Sequence, residues 1–341
     1  MATENYTYTN GRLCQISLNN GKLVYRASGM NILGQPTTVY SGSVRKIDDY
    51  NLASGQLEFV TADRLSNTVY VDKEYYYDNT KENFSQIVDN LSRPNDNFTY
   101  DSLDRLLTTD SDTVTYDVKG NILQKTGGGS YSYTNSSKPF AVTEVEPTGN
   151  AIPLRDQDIT YYSFRRPATI SEDIYNTSFD YDDRYDRVRM ALQRNDTTIL
   201  TRYYLGGCYE QDVTSGSTKE KLYLGGDYYS AYAVLIKDSV LGTSNVYHIL
   251  RDHLGSITHV IDNSGNVVQE LSYDAWGRLR DPDTHVVYAP DSIPKLFLGR
   301  GYTGHEHLNE FGLINMNARL YDPVLGRFLS PDKYVQESEN S

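Results

Sequence analysis

The stretch FTYDSLDRLLT, residues 98–108, reads as a strand, a tight turn and a second strand. An aspartate placed after a strand can cap the following turn with its side chain. A residue able to take a left-handed backbone, here Asp104 before Arg105, then lets the hairpin close. Four more copies carry the same logic: VTYDVKGNILQ (114–124), FDYDDRYDRVRM (179–190), LSYDAWGRLRD (271–281) and RLYDPVLGRFL (319–329). The anchors are Tyr100, Tyr116, Tyr181, Tyr273 and Tyr321. In three copies the corner is Asp104, Gly120 or Gly277, followed by Arg105, Asn121 or Arg278; the other two read as one residue longer and end in Asp186-Arg187 and Gly326-Arg327. A degenerate copy, VIDNSGNVVQ (260–269), keeps Asp262 and Gly265-Asn266 but has Ile261 in the tyrosine's place. Apolar residues resume after the turns, as at Ile122-Leu123, Val188 and Val267-Val268, and give each outgoing strand its buried positions.

One hairpin is marginal in water, so units in series are expected to stack into a continuous sheet and bury their faces jointly. Their irregular spacing argues against a regular propeller. The expected fold class is therefore all-β, with antiparallel strand–turn–strand Tyr-Asp repeats forming a curved, spiralling sheet. Composition agrees: 31 of 341 residues are tyrosine against nine phenylalanines and one tryptophan, while hydrophobic residues reach only 38%. Tyrosine suits a pleated, half-buried surface because its ring packs while its hydroxyl reaches water or a backbone group.

A net charge of −13 opposes nucleic acid and anionic lipid as partners. Cys14 and Cys208 cannot build a disulfide framework, and both are expected as small buried residues. The start, MATENYTYTNGRLCQ, lacks a basic-then-apolar leader pattern, and no apolar run is long enough for a membrane helix, so no membrane insertion is expected.

Residues 1–240 read as a degenerate repeat region with glycine- and serine-rich breaks at TGGGSYSYTNSSKP (126–139) and DVTSGSTKE (212–220), expected as hairpin loops. The segment 139–158, richer in proline and acid, suits a linker or a long surface loop. From Tyr247 the chain becomes denser in motifs: RDHLGS (251–256), VIDNSGNVVQELSYDAWGR (260–278), GYTGHE (301–306), FGLINMNARLYDP (311–323) and GRFLSPD (326–332). In this order they resemble the core domain of rearrangement-hotspot (Rhs) proteins, the tyrosine-aspartate (YD) repeat family, over residues 247–332.

The resemblance implies a hollow shell of spiralling antiparallel strands, of which this chain would be a partial Rhs-type shell, from a bacterial polymorphic toxin that is secreted or displayed at the cell surface. It implies that GRFLSPD marks a border: residues 333–341 are the short tail where a variable carboxy-terminal domain would begin. The implied partners are a carboxy-terminal toxin cargo and a secretion apparatus. A rival reading is a surface adhesion or carbohydrate-binding YD-repeat protein without cargo, whose partner is a surface glycan.

The resemblance also implies candidate self-cleavage residues, Asp322 and Asp332, in an aspartyl-protease-like pair. Such chemistry needs two carboxylates close enough to share a proton. A simple hairpin around residues 324–327 would place Asp322 near Leu329, leaving Asp332 three residues on, roughly 10 Å along the strand. The same residues suit a structural role, with Asp322-Pro323 starting one turn, Asp332 capping another, and Arg319 and Arg327 in surface ion pairs. His305 and His307, with Glu310 near, lack a third ligand at defined spacing, so no metal is expected; His253 and His259 merely flank a turn. No cofactor-binding motif is present, and Trp276 is expected to pack over the glycine that follows it.

Overall fold

The computed structural model describes residues 3–65, 68–78, 82–110, 112–148 and 156–332. The regular structure among these residues is antiparallel strand, apart from single-turn helices at Pro290–Ser292, Tyr302–Gly304 and Asn309–Phe311. Strands pair strictly in chain order: nine from Glu4–Thr9 to Asp96–Asn97, a two-stranded pair, four from Val114–Tyr116 to Glu144–Pro147, eleven from Gln157–Tyr161 to Val267–Glu270, another pair, and four from Glu306–Leu308 to Arg327–Phe328. Each sheet of four or more strands is open, its first and last strands unpaired with each other. The eleven-stranded sheet runs unbroken across residues 238–247. Gly129–Ser132, within the first glycine-rich break, is a strand rather than loop, whereas 214–217 does join two strands; of the segment 139–158, residues 149–155 lie outside the described residues.

The repeat works as its chemistry suggests. Asp117 Oδ1 accepts from the amides of Lys119 and Asn121, both at 2.8 Å, Gly120 sits at φ +87°, and its N–H donates to Asp117 O. Asp101, Asp182 and Asp274 do the same with amides two and four residues on. Tyr100, Tyr116, Tyr181 and Tyr273 each face the residue six positions on: Leu106, Ile122, Arg187 and Leu279. The Tyr181 copy is therefore not the longer form. Tyr185 holds its left-handed corner at φ +64°, Asp186 stands where the sister turns have Arg105, Asn121 and Arg278, and Arg187 becomes the first strand residue. The Tyr321 copy is longer, with Asp322 opposite Arg327 rather than Leu329. Asn31 and Asp252 build the same turn without a preceding tyrosine.

Tyrosine hydroxyls join one unit to the last. Tyr116 donates to Leu106 O (2.8 Å), Tyr133 to Ile122 O (2.9 Å), Tyr181 to Pro167 O (2.9 Å), Tyr273 to Ile257 O (2.9 Å) and Tyr77 to Leu57 O (2.8 Å). Each acceptor is the residue that faces the tip residue of the preceding strand. Ring packing and a satisfied carbonyl thus come from one side chain, which accounts for the tyrosine excess. Tyr116→Phe is expected to cost ~0.5–1.5 kcal/mol, the net value of one hydrogen bond, with ring packing retained. Urea denaturation checks it, and a loss indistinguishable from zero would mean that the hydroxyl is idle.

The amino-terminal sheet lays Ile16, Val24 and Tyr25 against Leu224, Ala233 and Val246 of the eleven-stranded sheet, and Val44, Ala62 and Tyr70 against Leu250 and Ile261. The carboxy-terminal block covers other parts of that sheet: Leu308, Phe311, Leu313 and Leu320 on Ile170, Phe179 and Leu192, and Leu296 and Leu298 on Val234 and Ile249. Each such side chain contributes ~1.5–3 kcal/mol of burial. Cys14 and Cys208 are half-buried rather than buried, and neither is in a disulfide.

Candidate functional site

The border motif is clasped from three sides. Tyr321 donates to Trp276 O (2.9 Å), Tyr131 donates to Leu325 O (3.1 Å), and the Trp276 ring lies over Gly326, where a Cβ would come 2.7 Å from Cε3. Trp276 thus packs on a glycine fifty residues away, while the glycine after it, Gly277, lies under Tyr302. Behind the turn, buried Lys125 stands 3.9 Å from Asp112 and 5.2 Å from the Trp276 ring centre; burial draws its ammonium down to about 8. Arg278 bridges Asp112 and Asp274.

Asp322 Oδ1 accepts from the amides of Val324 (2.8 Å) and Leu325 (2.9 Å), and its residue lines a cavity of about 470 Å³ with Leu279, Phe311, Leu313, Ile314 and His307. Burial raises the carboxyl above its ordinary range, outweighing the two amides and the charge of Lys125. Asp332 has a side chain 53% exposed and ion-paired with Arg319 at 3.0 Å. The Arg319 guanidinium in turn lies 3.7 Å from the centre of the Phe328 ring. The arrangement therefore holds one acid in a cavity and one anion beside an arginine. Arg327 makes no ion pair among the described residues; it donates to Tyr133 Oη (2.7 Å) and Phe140 O (2.8 Å). The tail from residue 333 lies outside the described residues.

The histidines take structural roles. His307 Nε2 accepts from the Tyr302 amide (3.0 Å), and His305 Nδ1 meets Thr303 Oγ1 (2.7 Å). Among the described residues no three His, Cys, Asp or Glu side chains gather as metal ligands. His253 packs edge-on to Tyr75 and Phe84, and His259 faces Glu270 at 3.4 Å.

A buried charge cluster escaped the sequence reading. Glu306, fully buried, accepts from Arg202 (2.6 Å) and Tyr204 (2.8 and 2.9 Å) and pairs with Arg187 (2.6 Å). Arg300 grips Glu210 at 2.7 Å, and Lys221 bonds Asp212 (2.9 Å) and Leu298 O (3.0 Å). The motif 300–306 thereby ties the carboxy-terminal block to the eleven-stranded sheet. One signal was available: Arg187 occupies the strand place that is Leu106, Ile122 or Leu279 in the sister units, and a buried arginine there requires a carboxylate.

Comparison with known proteins agrees with this architecture. The crystal structure of TcdB2-TccC3 matches 97% of the chain with a TM-score of 0.77 at 16% identity, the chain covering 20% of that structure. The tRNA3(Ser)-specific nuclease WapA of Bacillus spizizenii is 24% identical over 266 residues, 76% of this chain but 9% of the nuclease. Salivary gland surface protein 1 of Aedes aegypti is 35% identical over 95 residues, 26% of this chain and 2% of that protein. The chain thus spans a small fraction of the curated relatives it matches. The model of the teneurin YD-shell family matches residues 2–340, and with its Tyr-Asp hairpins the chain belongs to that family, as the resemblance to Rhs and YD-repeat proteins implied.

Proposed function

We propose that this chain is a segment of a shell that encloses or presents a carboxy-terminal polypeptide cargo in a secreted or surface-displayed toxin. The observation that carries the reading is the charge-locked carboxy-terminal block. The charge cluster holds that block against the body of the protein, so that a chain continuing past Asp332 starts beside the block, at the ion pair with Arg319. The likeness to TcdB2-TccC3 supports it at the level of fold. In the test, the chain is extended with its natural downstream sequence and treated with protease. The added segment is expected to be cut at least tenfold more slowly than the same segment alone; equal rates would sink enclosure.

Self-cleavage is the finer part of the proposal. Asp322, whose carboxyl burial raises above its ordinary range, is the acid, and Asp332, once released from Arg319, is the base. Intact mass of the extended chain is expected to show a single cut after the core in the wild type and none in Asp322→Asn or Asp332→Asn. An uncut wild type removes the enzymatic reading and leaves enclosure standing. The adhesion reading draws support from exposed rings such as Tyr6, Tyr8, Tyr162, Tyr185 and Tyr203.

A further inference from the structure

Two neighbouring repeat turns differ from their sisters at the left-handed corner. That corner is glycine at Gly34, Gly120, Gly255, Gly265 and Gly277, and a short aspartate at Asp104; in turns 162–166 and 182–186 it is Arg165 (φ +65°) and Tyr185 (φ +64°). A Cβ is disfavoured there, and long or bulky side chains are rare in such positions. Strain of this kind persists where surrounding structure holds a functional arrangement. What it holds here is a cluster of rings. Tyr162 and Phe164 stack at 6° with centroids 5.0 Å apart, Tyr185 lies 4.7 Å from Phe164, and Tyr181 meets Tyr162 and Phe164 edge-on at 5.8 and 5.7 Å. Tyr181 is fastened beneath by its bond to Pro167 O. Tyr162 and Tyr185 remain 39% and 42% exposed. Around them Ser163, Arg165, Asp182, Asp183, Arg184 and Asp186 are exposed, two cations beside three anions.

We infer that this rim is a carbohydrate-binding platform, on which the exposed Tyr162 and Tyr185 rings take the C–H face of a pyranose and the surrounding arginine and aspartate side chains bond its hydroxyls. Rigid tyrosine rings supply contact area with little ordering cost. Sugar hydroxyls donate and accept, so they satisfy guanidinium and carboxylate groups alike. An apolar protein surface would strip water from those charges without replacing its hydrogen bonds. A polynucleotide is opposed by the net charge of −13. The inference does not rest on the cargo reading.

The full chain, biotinylated and tetramerised on streptavidin, is read on a printed array of neutral and acidic glycans, and each positive sugar is then titrated as the free oligosaccharide. Wild-type protein is expected to bind, and Tyr185→Gly and Phe164→Ala to bind at least tenfold more weakly. Tyr185→Gly installs the residue the sister turns use, so its melting temperature should stay within about 3 °C of wild type; lost binding then does not reflect unfolding. Silence across the array, binding that survives both substitutions, or retention confined to sulfated glycans or added polynucleotide overturns the proposal.

Discussion

Glu306→Ala is expected to destabilise the protein by ~3–5 kcal/mol, the usual result of removing one partner from a buried ion pair. The carboxylate is held down to about 2: burial alone would raise it, and Arg187, Arg202 and Arg300 outweigh burial. Its loss does not affect the two bonded arginines equally. Arg202 keeps Asp212 at 2.5 Å, whereas Arg187 keeps only ring faces, Tyr204 at 4.4 Å and Phe179 at 5.8 Å, with Nε and Nη1 already lacking hydrogen-bond partners. A guanidinium would be left buried and uncompensated. Since whole domains are stable by only ~5–15 kcal/mol, one substitution removes a large share. Arg187→Leu combined with Glu306→Gln should recover much of the loss, because it restores the apolar strand residue of the sister units and removes the charge that needed pairing. Guanidinium denaturation of the wild type, Arg187→Leu, Glu306→Gln and the double variant gives the cycle, with Glu306→Ala measured beside them. A Glu306→Ala protein within about 1 kcal/mol of wild type would show that the cluster does not hold the block.

That cluster marks where the sequence stopped being readable. The turns were legible because their chemistry is local: Asp117, Gly120 and Asn121 lie within five residues, and the side chain bonds amides beside it. Strand order followed because consecutive hairpins pair with what they touch first. Asn31 and Asp252 were not legible as repeat turns because no tyrosine precedes them, although the Asx turn needs only the side-chain oxygen. The Tyr181 turn was misjudged because a tyrosine in a left-handed corner runs against steric preference, so Asp186 looked the better corner. Glu306 meets Arg202 at a separation of 104 positions, and Trp276 meets Gly326 at a separation of fifty. No periodicity encodes such pairings. A simple hairpin would set Asp322 opposite Leu329, and Arg327 stands there instead. The register itself came from a turn one residue pair tighter than the simple hairpin suggests.

Acid should destabilise this protein well before the carboxylates held low begin to titrate. His305 and His307 are lowered to about 4 and about 3, burial being the larger cause, followed by Arg300 for His305 and by His305 itself for His307. Hydrogen bonding adds to the resistance of His307: its Nε2 accepts from the Tyr302 amide, and a proton there would set a donor against a donor. Burial also lowers His248, His253 and His285. Above pH 6.5 folded and unfolded histidines are both neutral, and nothing changes. Below it the unfolded chain binds protons that the folded chain refuses, so stability falls as pH falls, by ~1.4 kcal/mol per unit for each histidine until its folded value is reached. For His305 and His307 together the loss at pH 5 is about 4 kcal/mol. The carboxylates held low, Glu306 and Glu270 at about 2, keep their contribution through this window and begin to lose it only below their unfolded value near 4.5. Asp322, raised by burial, runs the opposite way and gives back a little on acidification. Denaturation followed at Trp276 from pH 7.5 to 5 is therefore expected to show a steep decline that His307→Asn makes shallower, since a neutral amide oxygen can still accept from the Tyr302 amide. A level profile over that range, or a slope unchanged in the variant, would mean that these rings are protonated in the folded protein and that the bond to Tyr302 is not formed.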